Sequence, residues 1–144
     1  MTMNGPTGCG VGLAWRTVVG VTLLGLASAP TLTAIELDDV LYGVAVLESG
    51  DADIGLHQDG VSYGRYGVTQ MAVAELQRVR WLNAGQVDLR DPDNNRKVAA
   101  LYLRYLKHRH GSWWKATAQY NPRSTTYARR VWAVIDNRRS TALK

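Results

Sequence analysis

Cysteine occurs once in the 144 residues, at Cys9. One thiol cannot close an intramolecular disulfide or fill a four-cysteine zinc site, so both are excluded. Proline is scarce at 4, and the 14 glycines follow no period, which excludes a fibrous repeat. Charged residues make up only 20% against 46% hydrophobic. That balance belongs to a folded domain, not to a disordered tail or a multi-span membrane protein. No glycine-rich phosphate cradle is present. His108 and His110 sit where a helix ends and His57 is isolated, so the histidines give no metal-ligand pattern. The length fits one domain.

Charge is also missing from the first 34 residues, where Arg16 stands alone. It precedes the apolar run Thr17-Val18-Val19-Gly20-Val21-Thr22-Leu23-Leu24-Gly25-Leu26 and the small residues Ala27-Ser28-Ala29. This order describes a secretory signal. The apolar run is shorter than the about 20 residues a spanning helix needs, so no stable membrane span is expected after cleavage. Cleavage after Ala29 meets Pro30, and cleavage after Ala34 meets Leu32 where a small residue is preferred. An uncleaved anchor, or a start at Met3, are the other readings. The expected division is a signal peptide over 1–34 and one domain over 35–144, exported to the periplasm or cell wall.

The rest of the charge is lopsided. Residues 35–95 hold eleven acidic side chains against four arginines, whereas residues 96–144 hold twelve basic ones against Asp136. A basic half implies a polyanionic partner or a solvated helix face. Export argues against nucleic acid.

Apolar spacing predicts five helices. Leu37, Val40, Leu41, Val44 and Leu47 mark the first, which stops at Gly50. Residues 51–67 are rich in Gly, Asp and Ser and read as a long loop with room for a short strand pair. A second helix is expected over about Thr69–Asn83. Asp91-Pro92-Asp93 opens a third, which ends at His108-Arg109-His110-Gly111. Ser112 caps a fourth, ending at Asn121-Pro122. Ser124 opens the last, with Tyr127, Ala128, Val131, Val134 and Ile135 facing inward. The fold class is mainly α.

Glu48 breaks the apolar pattern. It falls on the buried face of the first helix, at the mouth of the long loop. Burial raises a carboxyl pKa, and an acid kept protonated near neutrality can protonate a leaving group. A glutamate swinging into solvent at a helix end is the plainer alternative.

Leu47-Glu48-Ser49-Gly50 is followed by Gly64-Arg65-Tyr66-Gly67-Val68-Thr69-Gln70-Met71. Asp91-Pro92-Asp93-Asn94-Asn95, Tyr102-Leu103 and Gln119-Tyr120-Asn121 come after, in that order. This succession resembles the soluble lytic transglycosylases and goose-type lysozymes over roughly residues 37–135. The resemblance implies a lysozyme-like helical domain with a long active-site loop, acting as a monomer on peptidoglycan glycan strands without cofactor or metal. It implies Glu48 as the single acid/base and Tyr120 as the tyrosine that orients it. Ser62, Gly64, Gly67, Gln70 and Asn121 would contact substrate, Ser62 one position out of register. Tyr63 and Tyr66 would stack on sugars or pack the loop. Arg65 stands where the family has alanine, which would put a cation beside the cleft. Thr69 and Ala72 replace larger apolar residues. An acid among Asp51, Asp53 and Asp59 reaching the cleft would make the enzyme a water-using muramidase. A non-catalytic wall-binding module is the other alternative. The small size suits local wall opening for a secretion apparatus or a pilus.

Overall fold

The computed structural model describes residues 34–144. The targeting segment expected over 1–34 therefore lies outside the described residues, apart from Ala34. Five helices and one two-stranded ribbon follow in order: α1 Leu37–Ser49, β1 Ser62–Tyr63, β2 Val68–Thr69, α2 Gln70–Arg78, α3 Pro92–His110, α4 Trp113–Tyr120 and α5 Tyr127–Ala142.

Side chains cap the first four helix starts, whereas α5 opens at Tyr127 with no side-chain cap, three residues after the expected Ser124. Glu36 and Asp39 form a reciprocal capping box at α1. Asp91 accepts from the Asn94 N–H at 2.8 Å, with Pro92 at the first helical position of α3. Ser112 accepts from Lys115 N–H at 3.2 Å to open α4. Thr69 does the same for α2, accepting from Ala72 N–H at 3.3 Å. A threonine at this position, in place of a larger apolar residue, is thus accounted for as a cap.

The second helix is shorter than its apolar spacing suggests and ends at Arg78. Arg80 takes a positive φ of 61°, and the N–H groups of Trp81 and Leu82 both turn back onto the Leu76 carbonyl. The Gln77 side chain then holds the carbonyls of Asn83 and Gly85 at 3.1 and 2.7 Å. Val79 and Leu82 still pack on the core, but from irregular backbone, so the apolar pattern outlasts the helix.

α3 packs on α4, and α1 packs on α5. Between them Val40, Val44, Leu76, Leu89, Val98, Leu103, Val131 and Ile135 lose essentially all solvent contact. Burying side chains of this kind contributes roughly 1.5–3 kcal/mol each before the cost of ordering the chain. The α1–α5 contact is close because position 43 is glycine. A Cβ there would lie 2.9 Å from Val131 Cγ1 and 3.0 Å from the Val131 carbonyl oxygen. No described helix is long and apolar enough to cross a membrane.

Candidate active site

α1 carries Glu48 to its last turn, half-buried, and the 51–69 loop folds back over it. Three contacts fix that return. Gly50 N–H closes the helix on the Val46 carbonyl at 3.1 Å. Ser49 Oγ donates to the Arg65 carbonyl at 2.8 Å, tying the helix end to the loop. Gly67 then lies against the carboxylate itself: at its φ of +59°, a Cβ would sit 2.5 Å from Glu48 Oε2. Only glycine combines that left-handed backbone with so close an approach.

The loop is anchored from below by Asn95 of α3, which has no solvent exposure. Its Oδ1 accepts from Tyr66 N–H at 3.2 Å. Its Nδ2 donates to the carbonyls of Tyr63 and Leu89 at 2.8 and 3.0 Å. Gly64 passes directly over this amide, leaving no room for a side chain. The β1–β2 ribbon pairs Ser62 with Thr69 and Tyr63 with Val68, so the loop returns beside its own start.

One cleft of about 830 Å³ runs over this arrangement. Glu48, Ser62, Gly67, Tyr120 and Asn121 all line it. Val61, 55% exposed, and Met71, 79% exposed, add apolar surface to its lining. Gln70 does not reach the cleft: it opens α2, and its side chain turns to the Val87 carbonyl at 3.4 Å beside a separate cavity. Gly64 lies beneath the loop instead of on the cleft wall. Tyr66 is buried and Tyr63 carries Arg90 over its ring, so both pack the loop.

The phenol that meets Glu48 is Tyr127, the first residue of α5. Its Oη donates to Glu48 Oε1 at 2.6 Å. Tyr120 donates elsewhere, to the Tyr66 carbonyl at 2.8 Å, and its ring stacks on Tyr127 at 6.4 Å and 12°. The sequence marked Tyr127 only as an inward-facing residue. Its hydroxyl could have been flagged by asking what a buried phenol at a helix start would bond.

Burial raises the Glu48 pKa above its ordinary value, and the Tyr127 hydrogen bond opposes this. His57 and Arg130 also lower it, whereas Asp59 raises it. Desolvation pushes the Tyr127 phenol far above its usual range, so it remains a donor. Of the three loop acids, Asp59 lines the cleft. It accepts from Ser62 Oγ at 2.6 Å, Ser62 N–H at 2.9 Å and Val61 N–H at 3.0 Å. The Ser62 hydroxyl first, then the two N–H groups, hold its carboxyl down to about 2. Asp51 is paired with Arg65 at 2.6 Å, which keeps both outside the cleft. The expected cation beside the cleft is thus neutralised within the loop. No group of three or more potential metal ligands occurs among the described residues.

The transglycosylase SLT domain model matches residues 36–135, most of the chain and all of these site elements. The chain belongs to the SLT transglycosylase domain family. This SLT domain is therefore a lysozyme-like helical fold from a family of peptidoglycan-degrading enzymes. It matches no curated protein and no solved structure.

Proposed function

We propose that this SLT domain is a lytic transglycosylase that cleaves the β-1,4 bond between N-acetylmuramic acid and N-acetylglucosamine, with Glu48 as sole acid/base. The observation that carries this reading is the contrast among the carboxyls of the cleft. Glu48 is the one whose environment favours the protonated form. Asp59 and Glu75 are both held as anions, near 2, by their hydrogen bonds. An acid needs a raised pKa, and a strongly depressed carboxylate is a weak base toward water.

Glu48 gives its proton to the glycosidic oxygen as the C1–O bond breaks. The Tyr127 hydroxyl stabilises the carboxylate left behind. That carboxylate takes the proton of the muramyl C6 hydroxyl, whose oxygen closes on C1. The product is a 1,6-anhydro sugar, no water is consumed, and Glu48 ends protonated as it began. An internal nucleophile supplies the proximity that a second carboxylate and a bound water would otherwise provide. Tyr120 acts one contact further out, positioning Tyr127 by stacking and the loop through Tyr66. Ser62, in β1, and Asn121, at the end of α4, both line the cleft and are proposed as sugar contacts. Action on the glycan strand places the chain in the periplasm or cell wall, where a secretion apparatus or pilus would need local opening.

The presence of Asp59 on the same cleft favours one second reading, a muramidase of the same fold. Purified sacculi incubated with the chain and with its Glu48→Gln variant separate the two. Released muropeptides one water lighter than hydrolysed ones, absent with Glu48→Gln, are the expected result. Hydrated reducing ends, lost on Asp59→Asn, would replace the proposal with the muramidase.

A further inference from the structure

The turn over residues 64–67 carries the backbone that touches Glu48, and side chains from three places hold its carbonyls. His57 Nε2 meets the Gly64 carbonyl at 2.7 Å, Ser49 Oγ donates to that of Arg65 at 2.8 Å, and Tyr120 Oη donates to that of Tyr66 at 2.8 Å. An ion pair adds to these ties. Arg65 reaches Asp51 with Nε at 2.8 Å and Nη2 at 2.6 Å, both on Oδ1. Asp51 follows the C-cap of α1 at a φ of +67°, beside Gly50 at +66°, and its N–H closes on the Ala45 carbonyl at 3.1 Å. Position 65 is thus fastened to both neighbours of Gly50, to Ser49 by its main chain and to Asp51 by its side chain. The alanine that the family resemblance implies at position 65 could make neither side-chain contact.

The two side chains are 34% and 35% exposed, and an ion pair so open to solvent adds little to stability. Its geometric consequence is larger. Gly67 lies two residues beyond Arg65, against Glu48 Oε2, and its N–H closes the turn on the Gly64 carbonyl at 3.2 Å. Moving residue 65 away from the end of α1 would draw Gly67 off the carboxyl and admit water. The groups that act on Glu48 directly are Tyr127 and Arg130 from α5 and His57 and Asp59 from the loop, and Tyr120 of α4 feels its charge. Neither Asp51 nor Arg65 stands among the charges acting on Glu48. Any hold the pair has on the acid passes through the backbone of the turn.

We propose that Asp51 and Arg65 are a positioning pair, whose contact fastens the 64–67 turn to the end of α1, keeps Gly67 against Glu48 and so sets how closely water approaches the acid. It rests on Glu48 being the acid of the proposed reaction. Burial is what keeps the proton on Glu48, so loosening either partner lets that proton leave at lower pH. A purely through-space effect would behave differently. Loss of a cation would make the carboxyl hold its proton to higher pH, and loss of an anion would do the opposite. Acting through the turn, both losses work in the same direction.

The test follows the Glu48 carboxyl carbon by NMR across pH in the full chain, with Glu48→Gln to assign its signal. Asp51→Gly removes the carboxylate at a φ that glycine takes freely, and Arg65→Gln removes the guanidinium. Both are expected to move the midpoint down, and the double variant to move it no further than the larger single effect. Arg65→Lys should keep it near its original place, because an ammonium can meet the one oxygen that both Arg65 contacts share. Circular dichroism checks that each variant is folded. On soluble glycan strands kcat should fall about threefold with KM unchanged, because neither side chain lines the cleft. Opposite shifts in the two single variants, shifts that sum in the double, an unmoved midpoint, or a raised KM alone would overturn the pair. The carboxyl titration needs no turnover. A lowered midpoint in a chain that cleaves no strand would uphold the pair's hold on Glu48 and reject the transglycosylase reading. Anhydro products from a chain whose midpoint does not move would do the reverse.

Discussion

Tyr127 and Glu48 meet at 2.6 Å between the first turn of α5 and the last turn of α1. Seventy-nine residues separate them in the chain. The phenol works against burial, because its hydrogen bond favours the carboxylate that desolvation disfavours. Tyr127→Phe leaves burial less opposed, so Glu48 should hold its proton to higher pH. The alkaline limb of the pH profile of kcat/KM is expected to move upward, with kcat lowered by about tenfold as the carboxylate loses its orientation. An unmoved limb in the same assay would show that Tyr127 has no hold on the acid.

The raised Glu48 pKa also makes a stability statement. The folded-state pKa lies above the ordinary 4.5. The group's contribution is therefore complete below about 4.5 and is lost as the pH rises through the folded value. Glu48→Gln removes the cost of a half-buried charge while keeping an acceptor for Tyr127. The variant should melt higher than the unaltered chain at alkaline pH, and the gain should shrink toward pH 4. Thermal unfolding across that range reads the difference directly.

Gly67 and Gly60 offer a matched pair. Both have positive φ, +59° and +72°, but a Cβ at Gly60 meets nothing within 4 Å whereas one at Gly67 strikes Glu48. Gly60→Ala should cost roughly 1–2 kcal/mol of stability, the backbone penalty alone, and spare turnover. Gly67→Ala should cost more than this and abolish glycan cleavage. Denaturant titration and sacculus digestion together check both halves.

Asn95→Ala removes the three hydrogen bonds of a side chain with no solvent access, to the Tyr66 N–H and to the carbonyls of Tyr63 and Leu89. A loss of about 2–4 kcal/mol is expected. Proteolysis should then cut first within residues 51–67, because the loop loses its floor before the helices lose their core. Cleavage elsewhere at the outset would assign Asn95 to the core alone.

The starts of α3 and α4 and the candidate acid Glu48 were legible in the sequence because they are local, whereas α5 opens at Tyr127 and not at Ser124. Asp91, Ser112 and Gly111 act on backbone within a turn, and Glu48 interrupts an apolar face four residues after Val44. The contacts that complete the site are not local. Tyr127 looks like any inward tyrosine until α1 and α5 are packed together. Asn95 reads as part of a helix-opening motif, and only the folded loop shows what its amide holds. Gln70 lies in the loop motif, yet its direction is set by the carbonyl of Val87, seventeen residues on. The end of α2 escaped for a related reason: burial maintains an apolar rhythm whether or not the backbone is helical.

The bare Cα at Gly43 sets a tolerance for chemistry that happens elsewhere. Val131 leans into the space where its side chain would be, and Val131 lies one turn along α5 from Tyr127. A single methyl at position 43 would have to be met by α5 stepping back by tenths of an ångström. The step would be passed along a stiff helix to a hydrogen bond of 2.6 Å with little slack to absorb it. The Tyr127–Glu48 hydrogen bond is thus calibrated by an atom that is not there.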